Sequence, residues 1–228
     1  MLRFLGLERF DKRLNVGLLE LITSKQRRVA FLLTYFALMR HAETEWNREK
    51  RVQGQQDAPL TSSGRQQARR WGCALARHQL DCMVTSDLGR AIHTATLINH
   101  SLVLPCSLEP RLREQDWGSW SGSKLSDLVN TNELKVQEKL GWDFRPFGGE
   151  SRLEVLQRSR QALVDIAQQM RGNRILVITH GGVIRCLLYR LCGRRFLPDE
   201  PALIKPYRLH WLSYNGEGFK VYRLNEEI

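Results

Sequence analysis

The sequence predicts an α/β protein, with a mostly parallel sheet covered by helices on both faces in three layers, α/β/α. Three observations point there. Short apolar runs, Phe36–Met39, Cys82–Thr85 and Ile175–Ile178, suit strands buried on both faces. Between them lie stretches with apolar residues at helical spacing, the alternation of a parallel sheet. Two of the runs end in polar groups, Arg40-His41 and His180-Gly181-Gly182. Ligands of such sheets bind beyond the carboxyl ends of the strands, so two imidazoles 139 positions apart (180 − 41) can share one pocket.

Residues 1–33 read as an extension ahead of a domain over 34–228. In it Leu7, Phe10, Leu14, Leu18 and Leu21 follow helical spacing, with Arg9, Lys12 and Arg13 elsewhere on the wheel. Such a basic amphipathic stretch is expected to pack on its own domain or to be a poorly ordered extension, ahead of touching a membrane surface. The apolar run Val29–Met39 follows Lys25, Arg27 and Arg28 and imitates a secretory signal. It is too short to span a bilayer, and it reads as the first core strand with its lead-in.

Next, Ser62–Gln79 carries Ala68, Trp71 and Leu75 at helical spacing. After the second strand, Ser86 is expected to cap a helix carrying Arg90, and Leu102–Cys106 to form a further short strand. Residues 115–149 are irregular in pattern and are expected to form a cap beside the pocket. Ser151 and Glu154 make a capping box opening a helix that turns Leu156, Leu163, Ile166 and Met170 inward. Gly181-Gly182 lead into a helix over Val183–Cys192, stopped by Gly193. Strands at His210–Tyr214 and Phe219–Leu224 are joined by the turn pair Asn215-Gly216.

Composition narrows the class. In 228 residues, 42% are hydrophobic and six are tryptophan, which argues against disorder, and no Pro/Gly/Ser-rich linker divides the chain. The five cysteines are odd in number and include no Cys-x-x-Cys pair, so neither a disulfide framework nor a zinc site is expected, and a reducing, cytoplasmic setting is. Lys and Arg outnumber Asp and Glu by 35 to 24, a net +11. These charges are spread rather than blocked, with no nucleic-acid-binding signature, so the expected partner is a small anionic substrate rather than nucleic acid.

The motifs are more specific. The first strand leads into Arg40-His41-Ala42-Glu43-Thr44-Glu45-Trp46-Asn47, then Gln53-Gly54 and Pro59-Leu60-Thr61-Ser62-Ser63-Gly64. Later come Ser86-Asp87-Leu88-Gly89-Arg90, Leu112-Arg113-Glu114, Trp117-Gly118 and His180-Gly181-Gly182. In this order, from about Thr34 to the last strand, they resemble the histidine phosphatase superfamily with its phosphoglycerate mutase-like fold. In that family an Arg-His-Gly-x-Thr pattern carries a phosphorylated histidine. Ala42 replaces the usual glycine, which asks for an ordinary backbone conformation there.

The resemblance implies that His41 is phosphorylated, that Glu114 is the acid–base residue and that Glu150 borders the pocket. Phe147-Gly148-Gly149-Glu150-Ser151 resembles the branch of α-ribazole phosphatases and broad-specificity phosphatases. The 66 positions from Glu114 to His180 are fewer than phosphoglycerate mutases usually carry. A phosphomonoester hydrolase of a small phosphorylated metabolite is therefore expected ahead of a phosphoglycerate mutase or a non-catalytic phosphate- or nucleic-acid-binding module.

The residue types fit that chemistry. Arg40, Arg90 and His180 can form an oxyanion pocket, helped by helix N-termini near Ser86 and Gly181. A neutral His41 ring can attack phosphorus, and nearby arginines disfavour the imidazolium that has no lone pair to offer. Glu114 can protonate a departing alkoxide and then activate water. Its competing role is a surface salt bridge with Arg111 or Arg113. Thr44, Asn47, Gln53, Gly54 and Gly181 complete the expected substrate contacts. No metal or cofactor is expected, because zinc-ligand spacing and a glycine-rich nucleotide loop are missing from the sequence and arginines supply the positive charge. His78, His93, His100 and His210 are expected in ordinary structural or surface roles.

Overall fold

The computed structural model describes residues 32–228. The expected amphipathic helix of 1–33 and the lead-in from Val29 lie almost wholly outside these residues. Among the described residues, six strands form one sheet: β1 (Thr34–Arg40), β2 (Cys82–Thr85), β3 (Cys106–Leu108), β4 (Arg174–Thr179), β5 (Leu209–Tyr214) and β6 (Phe219–Glu226). Their order is β3-β2-β4-β1-β5-β6. The pairs β2/β3, β2/β4 and β1/β4 are parallel, and β5 runs antiparallel to both β1 and β6. The expected mostly parallel sheet is therefore present.

The two-residue alternation of a strand explains the layers. Phe36, Leu38, Val84, Ile175 and Val177 enter one buried cluster with the inward faces of α6 (Arg152–Gln169) and α7 (Gly181–Leu191). Ala37, Met39, Met83, Leu176 and Ile178 enter another with α2 (Ser62–Leu75) and α3 (Gly89–Leu102). The strands β1, β2 and β4 thus have two dry faces, which is why each reads as a continuous apolar run.

Several predicted details hold. Ser151 and Glu154 make the capping box of α6, with Leu156, Leu163 and Ile166 buried. Gly193 ends the segment after α7 at φ +67°. The residues 115–149 contain short helices α4 (Leu125–Val129) and α5 (Asn132–Glu138) around a small core of their own, Trp120, Leu128, Leu134 and Phe144.

Two expectations are corrected. The strand predicted at Leu102–Cys106 lies later, at Cys106–Leu108, because α3 continues to Leu102. There Val103 turns to φ +51° and the Asn99 side chain binds both the N–H and the carbonyl of Leu104, closing the helix end. Nor does Ser86 cap α3. Leu88 occupies the N-cap position without a side-chain bond, and Asp57, 32 positions upstream, accepts from Gly89 N (2.6 Å). No helix among the described residues is long and apolar enough to cross a membrane.

Candidate active site

Sheet register brings the two histidines together. Arg40 pairs with Thr179 at the ends of β1 and β4, so the next residues, His41 and His180, leave the sheet side by side. Their ring centroids are 5.2 Å apart. Thr85 of β2 pairs with Ile178, which delivers Ser86 to the same edge, its Oγ 2.8 Å from His180 Nε2. The three strands meet where α/β sheets bind ligands.

His41 is 2% exposed, and its Nδ1 lies 2.7 Å from the carbonyl oxygen of Ala42. A carbonyl only accepts, so Nδ1 carries the proton and donates, leaving the lone pair on Nε2. Ala42 has no positive φ, as its identity requires, and its N–H donates to Thr94 Oγ1 (3.0 Å). Thr94, which carries no sequence signal of this task, thereby anchors Ala42, whose carbonyl sets the His41 tautomer.

Burial holds the His41 pKa well below its ordinary value, and the positive charges of Arg40 and Arg90 push it further down against the Ala42 hydrogen bond. His180 is shifted the same way, by burial first and then by Arg90, His41 and Arg40. Both rings are neutral near pH 7. The neutral form is the one that can attack phosphorus.

Arg90 opens α3 and is 2% exposed. Its Nη1 donates to Gln56 O (2.6 Å) and Asp57 Oδ1 (2.9 Å), and its Nη2 to Gly54 O (2.7 Å). Gly54 therefore acts through its carbonyl on Arg90, and it adopts φ +56° where an added Cβ would lie 2.8 Å from Ser121 Oγ. Asp57 was missed because it contacts α3 from a distant loop, leaving no local sequence pattern. The Nε atoms of Arg40 and Arg90, Nδ1 of His180 and Oε1 of Gln53 are buried without a hydrogen-bond partner. Unpaired buried polar groups are costly; Gln53 Oε1 only accepts, whereas the two arginine Nε–H groups donate, and a phosphoryl group offers the oxygens that such donors need.

Thr44 and Asn47 form the capping box of α1 (Glu45–Arg48), and Gln53 Nε2 donates to Thr44 Oγ1 (2.8 Å). Thr44 Oγ1 thus accepts twice, from Asn47 N and Gln53 Nε2, while the side-chain amide nitrogen of Asn47 donates to no group among the described residues. Gly181 sits against Arg40, with a hypothetical Cβ 3.7 Å from Arg40 Nε.

Glu114 makes no salt bridge with its neighbours. Arg111 pairs with Glu109 and Asp165, and Arg113 with Asp87. The Glu114 carboxylate instead accepts from Gly182 N (3.0 Å), in the first turn of α7, and from Gln115 N (2.9 Å). Its backbone is clamped by Arg158 of α6, which donates to the carbonyls of Arg111 and Arg113 (2.7 Å each) and of Glu114 (3.0 Å). Glu150 is corrected here: it binds Arg158 through both oxygens (2.8 Å each) and accepts from Asp116 N, so it braces the Glu114 segment rather than facing a ligand. An arginine on a helix surface gives no sequence sign of such a task.

A residue-level test follows from Gly182, where a Cβ would lie 2.2 Å from Glu114 Oε1. The obstructed atom is the tip of a flexible side chain, so Gly182→Ala should displace the carboxylate and leave the helix intact. Turnover is expected to fall by roughly tenfold or more, with thermal stability changed by no more than about 1 kcal/mol. Unchanged turnover would show that the seat of Glu114 at α7 is unimportant.

A further consequence concerns pH. Burial lowers the pKa of His210 to about 4, alongside the shifts of His41 and His180. In the unfolded chain these rings titrate near 6.5. Below that pH the unfolded chain takes up protons that the folded protein refuses, so stability is full above about 6.5 and declines as pH falls toward about 4. The melting temperature followed by circular dichroism should drop across this window, and less steeply in His210→Gln. A flat profile would contradict the neutral assignment.

The family model for the histidine phosphatase superfamily (branch 1) matches residues 36–227. The chain belongs to the histidine phosphatase superfamily. Among relatives of this family, the "Probable phosphoglycerate mutase GpmB" of Salmonella paratyphi A is 34% identical over 165 residues, covering 68% of this chain and 74% of the relative. Among solved structures, Bacillus stearothermophilus YhfR superposes with a TM-score of 0.77 at 30% identity, over 86% of this chain and 98% of that one. A mycobacterial glucosyl-3-phosphoglycerate phosphatase complexed with VO3 gives 0.74 at 27% identity, over 85% and 99%. These superpositions establish the phosphoglycerate mutase-like fold, and the histidine phosphatase relatives include proteins named as mutases and as phosphatases.

Proposed function

We propose that this histidine phosphatase hydrolyses small phosphomonoesters through a phosphohistidine at His41. The observation that carries the reading is the Nδ1 bond to Ala42 O, which leaves Nε2 of a buried, neutral ring as the lone pair beside Arg40, Arg90 and His180. In the first step Nε2 forms the N–P bond as the ester P–O bond breaks, and a protonated Glu114 gives its proton to the leaving oxygen. In the second, Glu114 as carboxylate takes a proton from water, whose oxygen attacks phosphorus. Phosphate leaves, and His41 and Glu114 return to their starting forms. Arg40, Arg90 and His180 hold the equatorial oxygens, where charge is spread in the transition state.

Phosphoglycerate mutase activity is the second reading, favoured by the mutase-named relatives. A mutase must retain and reorient the phosphorylated intermediate, whereas a hydrolase must admit water. A panel of small phosphomonoesters, assayed both for free phosphate and for positional isomers before and after exhaustive chelation, separates the two. Phosphate release without isomers, undiminished by chelation, is expected. Isomerised product without phosphate would establish the mutase, and loss on chelation restored by one divalent ion would establish a metal requirement.

A further inference from the structure

Resting on the phosphatase reading of the His41 site, we propose that a cavity beside Arg40 binds a second anionic group carried on the same small molecule as the scissile phosphate. This cavity, about 180 Å³, shares Arg40 and Gly181 with the catalytic pocket and is otherwise walled by α7 and the segment leading into β5. Four cationic side chains line it: Arg40, Arg185, Lys205 and Arg208. Arg208 is paired with Glu227 at 2.7 Å, whereas Arg185 and Lys205 have no ion pair among the described residues. With one counter-charge, Glu227, to four cations, the like charges repel one another, and the field they create favours an anion.

The fold holds this loop in place. Lys205 N donates to Asn225 Oδ1 (2.7 Å), and Asn225 Nδ2 donates to Leu203 O (3.1 Å). Between Lys205 and Arg208, Tyr207 adopts φ +53°, a conformation unfavourable for a bulky residue, with its ring centroid 5.8 Å from Arg40 Cζ. Strain of this kind persists where the surroundings over-determine it, and here it accompanies an aromatic ring that lines the cavity next to the shared arginine. Guanidinium and ammonium groups around one cavity recognise phosphate or carboxylate oxygens. Because Arg40 borders both spaces, one substrate can span them.

The test uses full-length protein and ω-phosphonoalkyl phosphates, whose phosphonate end resists hydrolysis, against ω-hydroxyalkyl phosphates, with linkers from ethane to hexane. At the best linker, kcat/KM should favour the phosphonate ester by roughly ten- to hundredfold. A variant carrying both Arg185→Gln and Lys205→Gln, two exposed side chains outside the catalytic set, should lose that preference while turning over the hydroxyalkyl esters as before. No preference at any linker, or one that survives the double substitution, overturns the proposal. Activation of hydroxyalkyl ester turnover by free methylphosphonate, abolished in the double variant, would assign the cavity to a separate anion and also overturn it. If no ester is turned over, calorimetry with alkane bisphosphonates and alkylphosphonates separates the claims. Tighter bisphosphonate binding that the double variant loses keeps the second site and removes the hydrolase reading, whereas equal binding removes the second site.

Discussion

His41→Ala is expected to abolish covalent labelling by a phosphoryl donor and to lower turnover on the order of ten-thousandfold or more. The magnitude follows from the proposed role: alanine removes the atom assigned there to bond phosphorus, and the residual oxyanion groups would then act only on direct attack by water. No neighbour replaces it. Ser86 is engaged with His180, and the Cys186 thiol is pushed up to about 12 by burial, far from the thiolate form. Label on the wild-type protein should be lost in acid and retained in base, as a phosphoramidate is. Label that survives acid and is lost in base would place the phosphoryl group on a hydroxyl and remove His41 from its role. Because the ring is buried, the variant must first show a native circular dichroism spectrum.

The parts of this site legible in the sequence are those set by short-range pattern. Apolar runs marked β1, β2 and β4, and the polar residues just after them marked the pocket, because a parallel register carries strand ends to a common edge. The groups that hold the pocket in shape were not legible. Asp57 reaches Arg90 across 33 positions, and Arg158 reaches the carbonyl of Glu114 across 44, each through contacts that depend on the finished fold. Ser86 illustrates the ambiguity: before a helix it reads as a cap, yet the sheet register turns it to His180 and leaves the capping to Asp57. Glu150 was read from its motif as a pocket residue, and its carboxylate is committed to Arg158. A motif reports that a residue matters without saying whether it meets the ligand or holds the residue that does.

Glu114→Gln separates these two possibilities for the acid–base position. Glutamine keeps the shape, and its carbonyl oxygen can accept from Gly182 N, so the fold and the entrance of α7 should be preserved. It cannot deliver a proton at the leaving oxygen. Alkyl phosphates, whose alkoxide is a poor leaving group, are therefore expected to slow by roughly a hundred- to ten-thousandfold. Aryl phosphates, whose phenoxide departs with little help, should form the phosphohistidine at close to the normal rate. Their steady-state turnover should then be limited by the second step, where the missing carboxylate no longer activates water, so the phosphorylated form accumulates. Rapid-quench measurement with an aryl phosphate should show a burst of phenol followed by slow turnover. Equal slowing of the first step for alkyl and aryl esters would mean that Glu114 positions the helix end or the phosphate instead of moving a proton, and the role would pass to another group near the leaving oxygen.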